Sequence, residues 1–358
     1  MEKKGAWIVV IILVVLGLLM APTDTLAQAG KAEVIRWKGQ CISASTVAPY
    51  GAFKHNQTGS WAMVYEWTEW LKKASGGRLL IDWAEPGAIV ANSEIDKAVS
   101  KNVVQIAWSY GQYYAGRIPE GIIESGGLFL WETADQYYEC LWKYGFAKAM
   151  QRVYDKFNIK YLPFPTNAIC ALGTNFPAPT PEAIAGKKIR AMAMFGDYIH
   201  MLKGSPVPTP WGELYMAMKL GTVDGWIAGI GAFEEQKMKE VTTGLVYPPN
   251  LSVTNTHMLI NMDAFKALPQ DLQRILDRDS IYVAYTAASH WNNQCMWVLR
   301  NSVEKYGVTI YPWPTKVVDR LTRQAFKEIY PRIAKKSKAT AELIEIVKEQ
   351  MRDYGRLE

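Results

Sequence analysis

Apolar positions along the chain alternate between the spacings typical of helices and of strands. The stretch Trp61–Leu71 has helical spacing, and Gly76 ends it. Two short apolar runs, Leu79–Trp83 and Val103–Trp108, are typical of buried strands. Comparable strands and helices follow one another along most of the chain. Residues 134–157 are predicted to be mostly helical with a break near Gly145, and a strand is predicted from Ser252 to Asn261. This pattern predicts an α/β fold of parallel strands with helices on both faces.

The longest uninterrupted pattern lies in residues 270–306, which contain neither proline nor glycine. A continuous helix of this length would reach ~55 Å at 1.5 Å per residue. Because that length exceeds the thickness of one domain, we expect the helix to kink or to cross between domains. Open α/β sheets bind ligands in the crevice beyond the carboxyl ends of their strands, so two such sheets would form an interdomain cleft.

The amino terminus has the layout of a secretory signal peptide. Lys3 and Lys4 precede an apolar run over residues 7–20, and Ala27-Gln28-Ala29 offers a small-x-small cleavage site. The alternative is an uncleaved membrane anchor, but the run is shorter than the ~20 residues that a spanning helix needs. We therefore expect cleavage after Ala29 and export to the periplasm.

Composition narrows the class of protein. Apolar residues make up 49% and charged residues 21% of the chain, which is typical of a globular protein. The net charge is +6 without a concentrated basic tract, so we expect no nucleic-acid partner. The cysteines could form disulfides in one of three full pairings or remain as buried thiols. They lie at positions 41, 140, 170 and 295.

Known catalytic and cofactor motifs are absent from the sequence. The histidines, at positions 55, 200, 257 and 290, form neither an HExxH motif nor another zinc-like spacing. A Gly-x-Ser-x-Gly nucleophile elbow, a phosphate-binding loop and the dinucleotide glycine pattern are also missing. We predict that the protein is not an enzyme and that it uses neither a cofactor nor a metal ion.

The most informative motifs lie between residues 186 and 225. Gly186-Lys-Lys-Ile-Arg190 is followed by Pro208-Thr-Pro-Trp-Gly-Glu213-Leu-Tyr215 and by Lys219-Leu-Gly-Thr-Val-Asp224-Gly225. This ordered set resembles the solute receptors of tripartite ATP-independent periplasmic (TRAP) transporters, the dicarboxylate-receptor superfamily. Ser75-Gly-Gly-Arg78 upstream and Leu268-Pro269 downstream agree with it, so the resemblance covers essentially the whole mature chain.

The resemblance implies a fold and a role. The fold would be a two-domain α/β periplasmic binding protein, similar to type II, with an interdomain ligand cleft and a long domain-spanning helix. After a signal peptide over 1–29, domain I would comprise residues 30–166 plus 253–292 and domain II residues 167–252 plus 293–358. The protein would capture a small organic acid for the small and large membrane subunits of a TRAP permease, which takes it up in secondary, ion-gradient-driven transport.

The resemblance also implies the residue that holds the ligand. In these receptors the arginine of the Gly-x-Lys-x-Arg strand pairs with the ligand carboxylate, and Arg190 matches that position. A guanidinium offers two parallel N–H donors to a carboxylate and stays charged at any relevant pH. Aromatic side chains near this motif, and polar ones at strand ends, could complete the pocket. These further candidates are Trp211, Trp226, Glu213, Phe195, Asn167, Trp108, Tyr110 and Gln40.

Departures from the sequence pattern of the family narrow the range of ligands that we expect. The 2-oxo-acid-type receptors carry Glu-Trp around a metal ion where this chain has Ile227 and Ala228, so metal-assisted binding by that pattern is not expected. The second, upstream arginine of the sialic-acid-type receptors is missing. We expect a monocarboxylate with an apolar or aromatic body. A dicarboxylate stays open if Lys54 or Arg117 reaches the site.

Two other functions stay open at the level of the sequence. One is a receptor of the same fold that serves an ATP-driven (ABC) importer or a sensor kinase. The other is a periplasmic enzyme that acts on a small carboxylate. Some members of the family that this chain resembles form homodimers through the long helix. A second copy of the chain is therefore a further candidate partner.

Overall fold

The computed structural model describes residues 33–42, 61–249 and 251–357. The predicted signal peptide and Lys54 lie outside these ranges. The strands are β1 (Ile35–Gln40), β2 (Leu79–Ala84), β3 (Ile106–Ser109), β4 (Ile159–Thr174), β5 (Lys188–Arg190), β6 (Ser205–Val207), β7 (Gly225–Gly229), β8 (Gly244–Val246), β9 (Ser252–Asn261) and β10 (Thr309–Ile310). The α-helices are α1 (Trp61–Ala74), α2 (Ile95–Ser100), α3 (Gly121–Glu124), α4 (Ala134–Trp142), α5 (Phe146–Asp155), α6 (Met194–Met201), α7 (Leu214–Lys219), α8 (Ala232–Glu235), α9 (Met262–Lys266), α10 (Gln270–Arg274), α11 (Ser280–Tyr306), α12 (Thr315–Glu328), α13 (Tyr330–Ala334) and α14 (Lys338–Asp353).

The strands in these ranges form one ten-stranded mixed sheet in the order β2-β1-β3-β9-β4-β7-β5-β6, with β8 beside β4 and β10 beside β8. The pairs β1/β3, β5/β6, β5/β7 and β8/β10 are parallel. The long strands β4 and β9 are antiparallel to each other and to β3, β7 and β8. The prediction of parallel strands is therefore wrong at the centre of the sheet, where β4 and β9 run antiparallel to their neighbours.

Strand β4 changes partners along its length. Its first part, Ile159–Phe164, pairs with the end of β9, and its last part, Cys170–Thr174, pairs with β7. The register against β9 shifts between Phe164 and Ala168. Pro163 and Pro165 lie at this shift, and proline cannot donate a hydrogen bond to the ladder. The sequence therefore interrupts the pairing where the strand passes from one half of the sheet to the other.

The helices follow the sequence pattern closely. The helical stretch predicted to break near Gly145 forms α4 and α5, and Gly145 between them has a φ of 81°. The long pattern over 270–306 forms α10 and α11, which are separated by the π-helical segment Ile275–Asp279. The regular α-helical geometry is thus interrupted at residues 275–279, and the expected kink or crossing between domains stays a prediction. Helix α11 packs along β4 and against α1.

The carboxyl-terminal helices secure a loop near the candidate site. Helix α14 packs on α5. The hydroxyl of Tyr330 donates to the carbonyl oxygen of Leu128 at 2.7 Å. The guanidinium of Arg356 donates to the carbonyl oxygens of Phe129 and Leu130, both at 2.8 Å. Because all three carbonyls accept hydrogen bonds, the loop keeps one conformation. The domain boundaries drawn from the sequence stay a prediction.

Two further findings concern the described ranges. All four cysteines are buried as thiols, so the disulfide alternative does not apply to this structure. No helix there is both long enough and apolar enough to cross a bilayer.

Candidate functional site

The candidate site is centred on Arg190, the last residue of β5. Arg190 is only 8% exposed. Its Nε donates to the carbonyl oxygen of Thr209 at 3.1 Å, and its Nη1 to that of Ile227 at 3.1 Å. Its Nη2 lies 3.2 Å from the sulfur of Met192. These contacts orient the guanidinium and use one N–H of each nitrogen, so Nη1 and Nη2 each retain one N–H for the two oxygens of a carboxylate.

Arg190 is a buried cation that no carboxylate of the described side chains pairs with. Burial lowers its pKa, and Tyr113, Tyr110 and Cys170 act in the opposite direction. A guanidinium nonetheless stays charged in proteins. A buried charge without a partner costs free energy, and its attraction for an opposite charge is strong where water is excluded. The site therefore favours an anion.

Two tyrosines at the turn that follows β3 act electrostatically on Arg190. Tyr110 and Tyr113 lie at the short 3₁₀ turn Gly111–Tyr114, with ring centroids 5.9 Å apart and an edge-to-face angle of 69°. Burial raises the pKa of both phenols, and the charge of Arg190 partly opposes this. Both hydroxyls are therefore protonated at neutral pH and can donate hydrogen bonds to an anion beside Arg190.

Close backbone packing holds this turn in place. A Cβ at Gly111 would lie 2.6 Å from the Cα of Gly121, and a Cβ at Gly121 would lie 2.6 Å from the carbonyl oxygen of Gly111. Only glycine allows the two segments to approach this closely. The backbone N–H of Gly111 also donates to Oγ of Ser125 at 2.8 Å. The turn is consequently fixed against the start of α3.

Tyr114, the last residue of the turn, belongs to a buried hydrogen-bond network. Its hydroxyl bonds to Nε2 of His257 and lies 3.1 Å from the hydroxyl of Tyr154. Nδ1 of His257 lies 2.8 Å from Oε2 of Glu124, and Oε1 of Glu124 accepts from the hydroxyl of Tyr161 at 2.6 Å. Glu124 and His257 are fully buried. The network joins the turn to β4, β9, α3 and α5, and such satisfied buried networks make an arrangement unique.

Two of the aromatic candidates lie close to Arg190 or to the turn opposite it. The ring of Trp211 lies 5.8 Å from Cζ of Arg190, within the range of a cation–π contact. Phe195, in the first turn of α6, is 5% exposed and borders Gly126 and the amide of Gln112. Both side chains can exclude water from the space around the guanidinium.

Trp226 has a different position. It is fully buried, its Nε1 donates to Oγ1 of Thr242 at 3.0 Å, and its ring packs edge-on against Phe233. The indole also covers Gly173, where a Cβ would lie 2.3 Å from the ring. Trp226 therefore packs in the core beneath the sheet position next to Arg190. Its contact with a ligand stays a prediction.

The remaining candidates do not gather around Arg190 in the same way. Nε1 of Trp108 donates to Oγ1 of Thr256 at 2.8 Å, deep in the core. The side-chain amide of Gln40 binds the backbone of residues 89–90, donating to the carbonyl oxygen of Val90 and accepting from two N–H groups. Glu213 is exposed. The side chain of Asn167 lies outside the described part of the chain. The direct ligand contacts predicted for these four stay predictions.

The sequence offered Lys54 and Arg117 as cations for a second ligand carboxylate. Of these two, Arg117 lies in the described ranges, and it is already paired with acidic side chains. The guanidinium of Arg117 bonds to Asp96 and Glu94, and Asp96 is 3% exposed. These pairs raise the pKa of Arg117, with the hydrogen bond to Asp96 as the largest cause. Arg117 is therefore held by its own acidic partners.

Sequence reasoning missed two residues of the turn, Gln112 and Tyr113. Tyr113 influences Arg190 electrostatically, and the amide of Gln112 faces Phe195. The sequence feature that could have revealed them is the polar and aromatic run Tyr-Gly-Gln-Tyr-Tyr over 110–114, which directly follows the end of a strand. Only the spatial approach of this run to Arg190 distinguishes it from an ordinary surface turn.

Comparison with known proteins identifies one family. The model of the bacterial extracellular solute-binding proteins, family 7, matches residues 51–337. The monocarboxylate 2-oxoacid-binding periplasmic protein of Nostoc sp. is 24% identical over 231 residues. That alignment covers 61% of this chain and 60% of the relative, so the chain spans less than two thirds of the relative's length.

Two solved structures share the fold. A TRAP periplasmic solute-binding protein from Colwellia psychrerythraea, with bound calcium and pyruvate, has a TM-score of 0.77 and 20% identity over 90% of this chain and 95% of that one. A TRAP transporter solute-binding protein from Bordetella bronchiseptica has a TM-score of 0.76 and 17% identity over 90% and 93%. It is a dimer, with calcium and picolinate in one active site. The α/β architecture is therefore that of the two-domain TRAP binding proteins.

The described residues do not fit a calcium site of the kind that these two proteins contain. No group of three or more His, Cys, Asp or Glu side chains among them could hold a metal ion. Ile227 and Ala228, at the positions that carry Glu-Trp in the 2-oxo-acid-type receptors, are apolar and buried. The binding chemistry below is derived from Arg190 and its neighbours, and binding without a metal ion stays a prediction.

Proposed function

Because this chain belongs to family 7 of the bacterial extracellular solute-binding proteins, we propose that it is a periplasmic receptor that binds a small carboxylate at Arg190 and delivers it to a TRAP permease. The family consists of binding proteins, and no covalent chemistry is part of the proposal. The small and large membrane subunits of the permease would complete secondary, ion-gradient-driven uptake. Export would use the signal peptide over 1–29, with cleavage after Ala29.

The observation that carries the proposal is the buried guanidinium of Arg190. It has carbonyl and sulfur contacts but no carboxylate partner among the described side chains, and its burial is nearly complete. A ligand carboxylate would supply the missing charge and accept the two remaining N–H groups in a bidentate arrangement. Tyr110 and Tyr113 would add neutral hydroxyl donors beside it.

The surroundings of Arg190 favour a monocarboxylate with an apolar or aromatic body. Trp211, Phe195 and the two tyrosine rings offer apolar walls. Arg117 is paired with acidic side chains and is thus unsuited to a second carboxylate. The ligands of the three similar proteins described above, namely 2-oxoacids, pyruvate and picolinate, are carboxylates and support this ligand class.

We further propose that the ligand binds in the cleft between the two domains drawn from the sequence. Tyr110 and Tyr113 belong to domain I (30–166 plus 253–292), whereas Arg190 and Trp211 belong to domain II (167–252 plus 293–358). A ligand held by both sets would bind the closed form more tightly than the open form and would thereby shift the balance towards closure.

We expect small carboxylic acids to stabilise the mature protein, residues 30–358, against heat. At a hundredfold excess over its dissociation constant, a ligand adds about 2.7 kcal/mol to the free energy of unfolding. Differential scanning fluorimetry with pyruvate, benzoate and picolinate measures this. The matched neutral amides, pyruvamide, benzamide and picolinamide, are the control and should give no shift, because they cannot neutralise Arg190. Equal shifts for acids and amides, or none for any acid, would contradict the proposal.

We also propose that a second copy of the chain binds at α11, so that the protein forms a homodimer. Several apolar side chains of this helix are strongly exposed, including Met296 (42%), Trp297 (39%) and Tyr306 (44%). Met296 and Trp297 line a surface pocket of about 370 Å³ together with Asn293, Leu299 and Arg300. Exposed apolar patches of this kind mark interaction surfaces. The dimeric Bordetella bronchiseptica structure supports a second copy as the occupant.

Trp297→Glu should convert the dimer into a monomer, because burial of a carboxylate at an apolar interface costs more than the contact supplies. Size-exclusion chromatography with light scattering at several protein concentrations measures the mass. Trp142→Glu is the matched control, since Trp142 is also exposed (51%) but lies on α4. A monomeric parent protein, or loss of the dimer in both variants, would refute this surface.

A further inference from the structure

Gln112, in the turn Gly111–Tyr114, carries a buried amide nitrogen without a hydrogen-bond partner. Its Nε2 is shielded from solvent, and none of the described residues accepts a hydrogen bond from it. Nearly all buried polar groups in native proteins have a partner, because an unsatisfied donor loses its hydration without compensation. An unpartnered donor next to a binding site points to a group that arrives with the ligand.

The amide lies beside Phe195, one of the residues predicted to contact the ligand. A Cβ built on Gly126 would lie 3.1 Å from Nε2 of Gln112 and 3.4 Å from the ring of Phe195, so the amide and this ring border the same small space. Phe195 follows the strand of Arg190 at the start of α6. The residue after Gln112 is Tyr113, which acts electrostatically on Arg190. Gln112 and Tyr113 thus belong to one turn, in which Gln112 borders Phe195 and Tyr113 acts electrostatically on Arg190.

We propose that Gln112 determines specificity: its amide donates a hydrogen bond to an oxygen on the body of the ligand whose carboxylate Arg190 holds. The inference rests on the proposed function and deepens it. It assigns the substrate class as carboxylates that carry a carbonyl or hydroxyl oxygen in addition to the carboxylate. A plain alkyl acid would leave the buried N–H unsatisfied after water is expelled, and sites built to bind an oxygen reject analogues that lack it.

The glycine at position 126 keeps this arrangement open. The absence of a Cβ leaves room for the amide between the backbone of residue 126 and Phe195. An alanine there would come closer to Nε2 than nearly all ordinary contacts allow, and the flexible end of Gln112 would have to move. Gly126→Ala therefore perturbs the position of the amide without changing its chemistry.

The test compares acids that differ by one carbonyl oxygen. Isothermal titration calorimetry would measure pyruvate against propionate and 4-oxopentanoate against pentanoate, which place the carbonyl at two distances from the carboxylate. In the parent protein we expect the oxo acid of at least one pair to bind about tenfold more tightly. In Gln112→Met, which keeps the length of the side chain, that preference should fall to about twofold or less, with binding of the plain acid retained. Gly126→Ala should lower the preference in the same direction and is decisive if Gln112→Met does not fold.

The outcomes separate this inference from the proposed function. If no acid binds the parent protein, or if the acids bind equally well to Arg190→Met, the proposed function fails. If acids bind through Arg190 but the parent shows no preference in either pair, the assignment of Gln112 is wrong. A preference that persists unchanged in Gln112→Met, or in Gly126→Ala where Gln112→Met does not fold, would also overturn it. A change in folding alone would move the affinity for both members of a pair and leave their ratio intact.

Discussion

Replacing Arg190 with methionine should weaken carboxylate binding by about 30-fold to 5000-fold, the largest functional effect that we expect from one substitution in this protein. Removal of one partner from a buried, hydrogen-bonded charge pair costs about 2–5 kcal/mol, and each ~1.4 kcal/mol is a factor of ten in affinity. The ligand carboxylate would enter a dry site that no longer contains its countercharge. Isothermal titration with the best acid of the fluorimetry screen measures the loss.

Arg190→Lys separates charge from geometry. Lysine retains the positive charge but presents it as a compact ammonium group without the planar fork that binds a carboxylate through two parallel N–H bonds. A single ammonium group also cannot keep both of the 3.1 Å hydrogen bonds that the guanidinium donates to the carbonyl oxygens of Thr209 and Ile227. We expect the lysine variant to bind more tightly than Arg190→Met and more weakly than the parent. If Arg190→Met binds the acid as tightly as the parent does, the ligand is anchored elsewhere.

Glu124→Leu should lower the free energy of unfolding by about 3 kcal/mol or more, the largest effect on stability that we expect. Glu124 is fully buried and accepts from Tyr161 at 2.6 Å while its other oxygen lies 2.8 Å from His257. Leucine would leave the hydroxyl and the imidazole buried without their acceptor. Urea unfolding followed by tryptophan fluorescence measures the change.

Two further variants make this stability test specific. Glu124→Gln keeps the shape and one acceptor oxygen, so it should cost less than the leucine variant. Glu342→Gln is the surface control, because the ion pair of Glu342 with Arg152 is about half exposed on both sides, and such pairs contribute little. We expect no measurable change for it. A Glu124→Leu variant as stable as the parent would show that the buried network does not stabilise the fold.

Much of the local structure could be predicted from the sequence because it depends on neighbours along the chain. The helical spacing from Trp61 and its stop at the glycines after position 75 match α1, and the break near Gly145 matches the gap between α4 and α5. Strand β9 has the predicted bounds, Ser252–Asn261. These elements follow from side-chain periodicity and from the backbone freedom of glycine, both of which are local properties.

The direction of the central strands could not be predicted in this way. The pattern of alternating strands and helices favours parallel pairing, yet β4 and β9 run antiparallel although the segments β5 to β8 separate them in sequence. The periodicity of a strand is the same in either direction. Only the path of the chain through both halves of the sheet decides the direction.

The same distinction holds for the candidate site: one part of it could be predicted from the sequence, and the other part depends on the tertiary structure. The sequence by itself determined the α/β class, through its periodicity, and the family resemblance, through its motifs. The motif around residue 190 also predicts Arg190 as the ligand contact. Only the tertiary structure decided that Tyr110 and Tyr113 act electrostatically on Arg190 and that Trp108 and Gln40 bind other parts of the protein. The reason is physical: burial and hydrogen-bond satisfaction arise between residues far apart in the chain, as between Tyr114 and His257, and no local pattern encodes which distant groups meet.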